Sequence, residues 1–121
     1  MNKLAVVLFF TLSITNAQDI PKDKRLHFQA GVITGAIGYD FVYSKTKDRN
    51  KAFFGGLLTS VLAGVAKETY DSTRPGNKFD IKDLSATALG GLSVNLTVKL
   101  FNKKKKKNEK NININLLSNL L

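Results

Sequence analysis

The side chains that could do chemistry fall in three short stretches of a 121-residue chain: Asp23, Lys24 and His27; Lys67, Glu68, Asp71 and Arg74; and Asp80 with Asp83. Glu68 and Asp71 are three residues apart, so on a helix they share a face. His27 is the only histidine in the chain. As a catalytic set, His27 would serve as a general base, with Glu68 or Asp71 orienting the ring. As a binding set, Asp23, Lys24, His27, Lys67, Glu68, Asp71, Arg74 and Asp83 would hold a small polar or anionic group, for example a lipid headgroup. A structural alternative fits the same residues: Asp80 caps a helix, Asp83 favours its first turn, and the remainder pair with one another. One histidine and no cysteine exclude disulfides, thiolate zinc sites and a triad with a spare histidine. A His–Glu–Asp trio could take a hard divalent ion through its carboxylates, but no metal or other cofactor is expected.

Helices must position these groups. The runs Leu26 to Tyr43, Ala52 to Ala66 and Leu84 to Val98 are rich in Ala, Leu and Gly, and none alternates with a period of two. Polar Ser44–Asn50 and the turn Arg74-Pro75-Gly76-Asn77 separate them. Asp80 precedes the third helix as its N-cap, with Asp83 at N3. The expectation is therefore an all-α fold, a three-helix up-down-up bundle over about 26–44, 51–71 and 81–101. That connectivity brings the start of the first helix, the end of the second and the start of the third to one pole. Glu68 and Asp71 then lie at a helix C-terminus, where the macrodipole disfavours each by about 0.3–1 kcal/mol. His27, Lys67 and Arg74 are the groups expected to offset this. Asn95 is expected to hydrogen-bond between helices.

The ends of the chain carry a different message. Lys3 followed by the apolar run Leu4–Ile14 and small or polar Thr15-Asn16-Ala17 has the order of a secretory signal. The expectation is a signal peptide over 1–17 cut after Ala17, a helical domain over 18–101, and a largely disordered lysine-rich tail over 102–121. The net charge is +10, of which the tail supplies +5 and the body +4. This is no uniformly basic nucleic-acid binder. Lys103, Lys104, Lys105, Lys106 and Lys107 would attach to anionic membrane headgroups.

Glycines and other small residues recur at intervals of four: Gly31 with Gly35, Gly56 with Ser60 and Gly64, Ala86 with Gly90. Such spacing lets helix backbones approach closely, as they do in lipid. Fifteen uncharged residues make a helix of roughly 22 Å, short of a hydrocarbon core of roughly 30 Å, although snorkelling lysines can cover the difference. If the segments span, the loop Ser44–Lys51 (+3) and the tail face the cytoplasm, and the uncharged-on-balance connection Lys67–Asp83 faces outside, as the positive-inside rule requires.

Asp23-Lys24-x-x-His27-Phe28, Gly64-x-x-Lys67-Glu68-x-x-Asp71, Asp83-Leu84 and Gly90 together resemble the YfiM-like family of predicted periplasmic lipoproteins. The resemblance covers roughly residues 21 to 91 and implies a small, exported, envelope-associated helical protein of uncharacterised activity. This chain lacks the lipidation cysteine, so membrane contact would depend on its helices and tail. Asp23, Lys24, His27, Glu68, Arg74 and Asp83 also resemble the polar set of VanZ-like membrane proteins. Lys67-x6-Arg74-Pro75 is spaced like the first motif of PAP2-type lipid phosphatases, but that chemistry needs later histidines and none follows Pro75. The sequence thus points to an exported, membrane-associated envelope protein of the inner membrane or periplasm, non-enzymatic in role. Its alternative is an enzyme acting on envelope lipid or glycan intermediates through His27, Glu68 and Asp71.

Overall fold

A computed structural model describes residues 3–121, without the side chains of residue 3 and residues 102–107, and it contains four α-helices and no strand among those residues. They are α1 (Lys3–Thr15), α2 (Lys22–Thr46), α3 (Arg49–Ser72) and α4 (Ile81–Leu120). The all-α expectation holds. Each boundary has a local cause. Lys47 adopts the left-handed conformation (φ 54°) and its N–H bonds the Tyr43 carbonyl, which stops α2. Asp48 then caps α3 by accepting from the N–H groups of Asn50 (2.9 Å) and Lys51 (3.2 Å). Gly76 (φ 82°) turns the chain after α3, and Asp80 caps α4 through Lys82 N–H (2.8 Å) and Asp83 N–H (3.4 Å).

Helices α2, α3 and α4 pack on one another, and α1 packs on α2 and α4. The buried positions recur every four residues along shared seams. On α2 one such series is His27, Gly31 and Gly35, on α3 Ala52, Gly56, Ser60, Gly64 and Glu68, and on α4 Asp83, Thr87, Gly91 and Asn95; Val32, Tyr39, Val94 and Val98 are buried beside them. Spacing of four residues keeps each set on one stripe of its helix. The seams are narrow because side chains are missing from them. A Cβ on Gly31 would collide with the Thr87 backbone carbonyl, and one on Gly90 with that of Phe28. Large apolar residues sit on the outside instead: Ile33, Ile37 and Phe41 of α2, Phe54, Leu58 and Leu62 of α3, Leu89, Leu96 and Leu100 of α4 are each exposed.

Two expectations need correction. The tail over 102–121 does not leave the helix: α4 runs unbroken through it to Leu120. No Gly or Pro follows Gly91. Lys, Leu and Glu are good helix formers, and extending a helix already nucleated by the bundle adds a hydrogen bond per residue fixed. Every side chain from Asn108 to Leu121 is exposed. Asn95 makes its hydrogen bond within its own helix, donating to the Gly91 carbonyl (2.6 Å), rather than to another helix. Its Oδ1 is pressed against Gly56, where a Cβ would collide with it.

Residues of the expected signal segment form α1, antiparallel to α2. Phe10 packs on Phe28 (ring centroids 6.5 Å), Arg25 donates to the Thr15 carbonyl (2.7 Å), and Gln29 donates to Thr15 Oγ1 (2.6 Å) and the Thr11 carbonyl (3.2 Å). One segment among the described residues, Ile81–Phe101, is long and apolar enough to cross a membrane, with a third of it buried inside the protein.

Candidate functional site

The expected pole forms. His27 from the second turn of α2, Glu68 from the last turns of α3 and Asp83 from the first turn of α4 are all buried, at 5 %, 2 % and 7 % exposure. They meet there because each occupies the final position of its helix's buried stripe, where the seam of small residues ends. His27 Nε2 lies 3.3 Å from Asp83 Oδ2, 3.5 Å from Glu68 Oε1 and 3.8 Å from Asp23 Oδ1. Asp23 stands one turn before His27 at the exposed rim.

The hydrogen bonds around the ring assign its tautomer. Thr87 Oγ1 donates its only proton to the Asp83 backbone carbonyl (3.1 Å), which can only accept. The same oxygen lies 3.3 Å from His27 Nδ1, so Nδ1–H donates to it. In the neutral ring Nε2 then carries the lone pair, aimed at the three carboxylates. Glu68 Oε2 accepts from the Asp80 backbone N–H (3.0 Å), whereas Oε1 is buried without a hydrogen-bond donor.

Lys24 and Asp83 Oδ1 form a close ion pair, and Asp80 Oδ2 (3.5 Å) and Asp23 Oδ2 (3.7 Å) flank the same ammonium. The hydrogen bond with Asp83, reinforced by its charge and that of Asp80, raises the Lys24 pKa above its ordinary value against the opposing effect of desolvation. Hydrogen bonds from the backbone N–H groups of Lys82 and Asp83, with Lys24 nearby, hold the Asp80 carboxyl below its ordinary value. Beside this centre Lys67 donates to Asp71 (2.5 Å, one helical turn apart). That bond lowers the Asp71 pKa and raises that of Lys67.

The expected binding set therefore divides. Asp23, Lys24, His27, Glu68 and Asp83 come together; Lys67 and Asp71 form an adjoining pair. Arg74 does not join them: its guanidinium stacks on Tyr70 (5.0 Å) and donates to the Tyr70 hydroxyl (3.2 Å). Against the α3 dipole Glu68 accepts from the Asp80 N–H, a backbone donor that side-chain chemistry alone did not suggest, while its other oxygen lies 3.5 Å from His27 Nε2. Thr87 was missed altogether. Its signal was positional: it follows Asp83 by four residues and so shares that residue's helix face. Asp83 does more than favour a first turn, because its carboxylate points inward to His27 and Lys24.

A cleft of about 700 Å3 opens onto the pole, lined by Asp23, His27, Glu68 and Asp83 and by the 76–82 turn. A smaller cavity of about 160 Å3 reaches His27 from the side of Gly64, Lys67 and Thr87. The side chains of Lys103–Lys107 lie outside the described residues. Comparison with protein-family models, with curated proteins and with solved structures finds no match.

Proposed function

We propose that the protein is exported and lies in the cell envelope as a membrane-embedded helical bundle whose polar pole is a binding centre, not a catalytic one. One observation carries this reading: the large aliphatic and phenylalanine side chains lie mainly outside. The seams hold Gly, Ser, Thr, Asn, His and Glu beside Val32, Tyr39, Ala52, Val94 and Val98, while exposed Ile, Leu and Phe cover the outside of all three packed helices. Soluble monomers rarely expose contiguous apolar patches beyond a few hundred Å2, whereas in lipid small residues at the seam are the usual means of association. At about 1.5 Å per residue α2 (25 residues) and α3 (24 residues) exceed a core of roughly 30 Å in length, but their uncharged runs are shorter, so their charged ends, Lys24, Lys67 and Asp71 among them, lie outside the hydrocarbon core. The charge excess on Ser44–Lys51 and in the tail orients the pole to the outer side of the inner membrane. Lys103–Lys107 attach to anionic headgroups on the other side, at about 1 kcal/mol each.

In this reading α1 is the signal segment, and α2, α3 and α4 form the three-helix up-down-up unit that remains. The resemblance to the YfiM-like family points to the same place in the cell. At the pole, Lys24 and Lys67 are engaged by carboxylates, and carboxylates face the cleft beside His27, so a polar or cationic group fits better than an anionic one. The cleft itself favours a second reading, an enzyme acting on envelope lipid or glycan intermediates, because it opens directly onto His27 and Glu68.

Carbonate extraction of membranes bearing the chain with residues 102–121 deleted tests the embedding. Retention in the pellet is expected; release to the supernatant overturns it. Protease added from the outer side should leave the tail of the full chain intact.

A further inference from the structure

We propose that Asp23, His27, Glu68 and Asp83 form a binding site for a divalent transition-metal ion, entered from the cleft at the pole. The inference goes beyond the envelope role and does not depend on where the bundle resides.

Four candidate ligand residues converge here. Oxygens of Asp23, Glu68 and Asp83 lie 3.3–3.8 Å from His27 Nε2, and one ligand atom each of Asp23, His27 and Asp83 falls within 4.8 Å of the others. Four ligands at about 2.0–2.1 Å from a tetrahedral ion stand about 3.3 Å apart; Glu68 approaches the ring but lies outside that trio, so side-chain movement, including that of Glu68, would be needed to close all four around a metal. The observation that separates this cluster from an ordinary acidic patch is Glu68. Its side chain is 3 % exposed, and Oε1 faces the ring without a hydrogen-bond donor. A buried carboxylate oxygen left in that state is costly.

The ring is set up in the same sense. Nδ1–H is held by Thr87 Oγ1, which turns the Nε2 lone pair to the carboxylates. This is the arrangement by which a partner of the far nitrogen fixes a metal-ligating imidazole. A proton on Nε2 would point in one direction and serve one oxygen well; an ion serves all three. Charge balances too. Lys24 pairs with Asp83 Oδ1 and leaves Oδ2 to the ring. The three ligand carboxylates against Lys24, whose ammonium is shared with Asp80, leave at least two negative charges for a dication. The imidazole selects a first-row transition ion over Mg2+ or Ca2+.

The test is titration of Zn2+ and Mn2+ into the chelator-stripped full chain in detergent, followed by calorimetry. One Zn2+ per chain, bound more tightly than about 100 µM, and bound more tightly than Mg2+ or Ca2+, is expected. Asp23→Asn lies at the exposed rim and leaves the helices intact, as circular dichroism would verify. It should weaken binding about 10–100-fold, as should Glu68→Gln. Glu109→Gln, which alters an exposed carboxylate on the C-terminal part of α4 outside the cleft, should leave binding unchanged. Absence of Zn2+ and Mn2+ binding, equal binding by Asp23→Asn and wild type, or affinity for Mg2+ matching that for Zn2+ would each overturn the proposal.

Discussion

The middle of the bundle and its outer pole are built on the same four-residue stripes and differ in what occupies them. In the middle the stripes carry Gly31, Gly35, Gly56, Ser60, Gly64 and Gly91; backbone approaches backbone at Gly31 and Gly35, and side chains of the facing helix fill the space over Gly56 and Gly64. At the pole the next positions are His27, Glu68 and Asp83, and ionisable side chains fill the same narrow gap. The glycine seam sets the interhelical distance, and that distance draws the polar groups out of water and into one another's reach. Packing in one region therefore produces the electrostatics of the other.

The strongest challenge to that coupling is to widen the seam. Gly31→Ala and Gly90→Ala each place a methyl group against backbone, which cannot rotate away. Each should cost about 3 kcal/mol in denaturant unfolding of the detergent-solubilised chain. Gly56→Ala meets only the Asn95 side chain and should cost less. Adding Asn95→Ala should relieve part of that loss, as non-additivity of at least about 0.5 kcal/mol. Equal costs for all three glycine variants would show that backbone approach does not set the spacing.

Next in size is the pole itself. Glu68→Ala removes the partner of the Asp80 N–H and of His27, and should destabilise by about 2 kcal/mol; Glu68→Gln retains an acceptor and should cost less than half of that. Thr87→Val keeps the shape but leaves Nδ1–H without its acceptor, an expected loss of about 1 kcal/mol in the same assay.

Much of this pole was legible in the sequence, because helix period, capping residues and short connections place His27, Glu68 and Asp83 at one end without knowledge of packing. Asp80 announced itself as a cap by type and position. The inward turn of Asp83 and the bridging hydroxyl of Thr87 were not legible, since both depend on how closely α2 and α4 approach. Arg74 illustrates the opposite failure. It is near the cluster in sequence, but an adjacent aromatic face one turn away captured its guanidinium. The helical tail was obscured by its charge, which argues for solvation but does not prevent a packed helix from extending.

The smallest effects lie at the rim. The folded Asp71 pKa is below its ordinary 3.8 through the bond from Lys67. Its contribution is therefore present above that value and fades as pH falls through the depressed folded one. Lys67 is raised above 10.5, so its contribution is complete below that value and is lost as pH rises through the folded one. The stability gap between wild type and Asp71→Asn should be flat across neutral pH and close at the acid end. Arg74→Ala should change stability by less than about 0.5 kcal/mol, because its side-chain hydrogen bond and ring contact are both to exposed Tyr70.

The convergence of His27 with Glu68 is best measured by a double-mutant cycle, with unfolding free energies of wild type, His27→Ala, Glu68→Ala and the double variant compared in one detergent. The two substitutions should be coupled by at least about 1 kcal/mol. Additivity to within about 0.5 kcal/mol would mean that the imidazole and the carboxylate do not share a site.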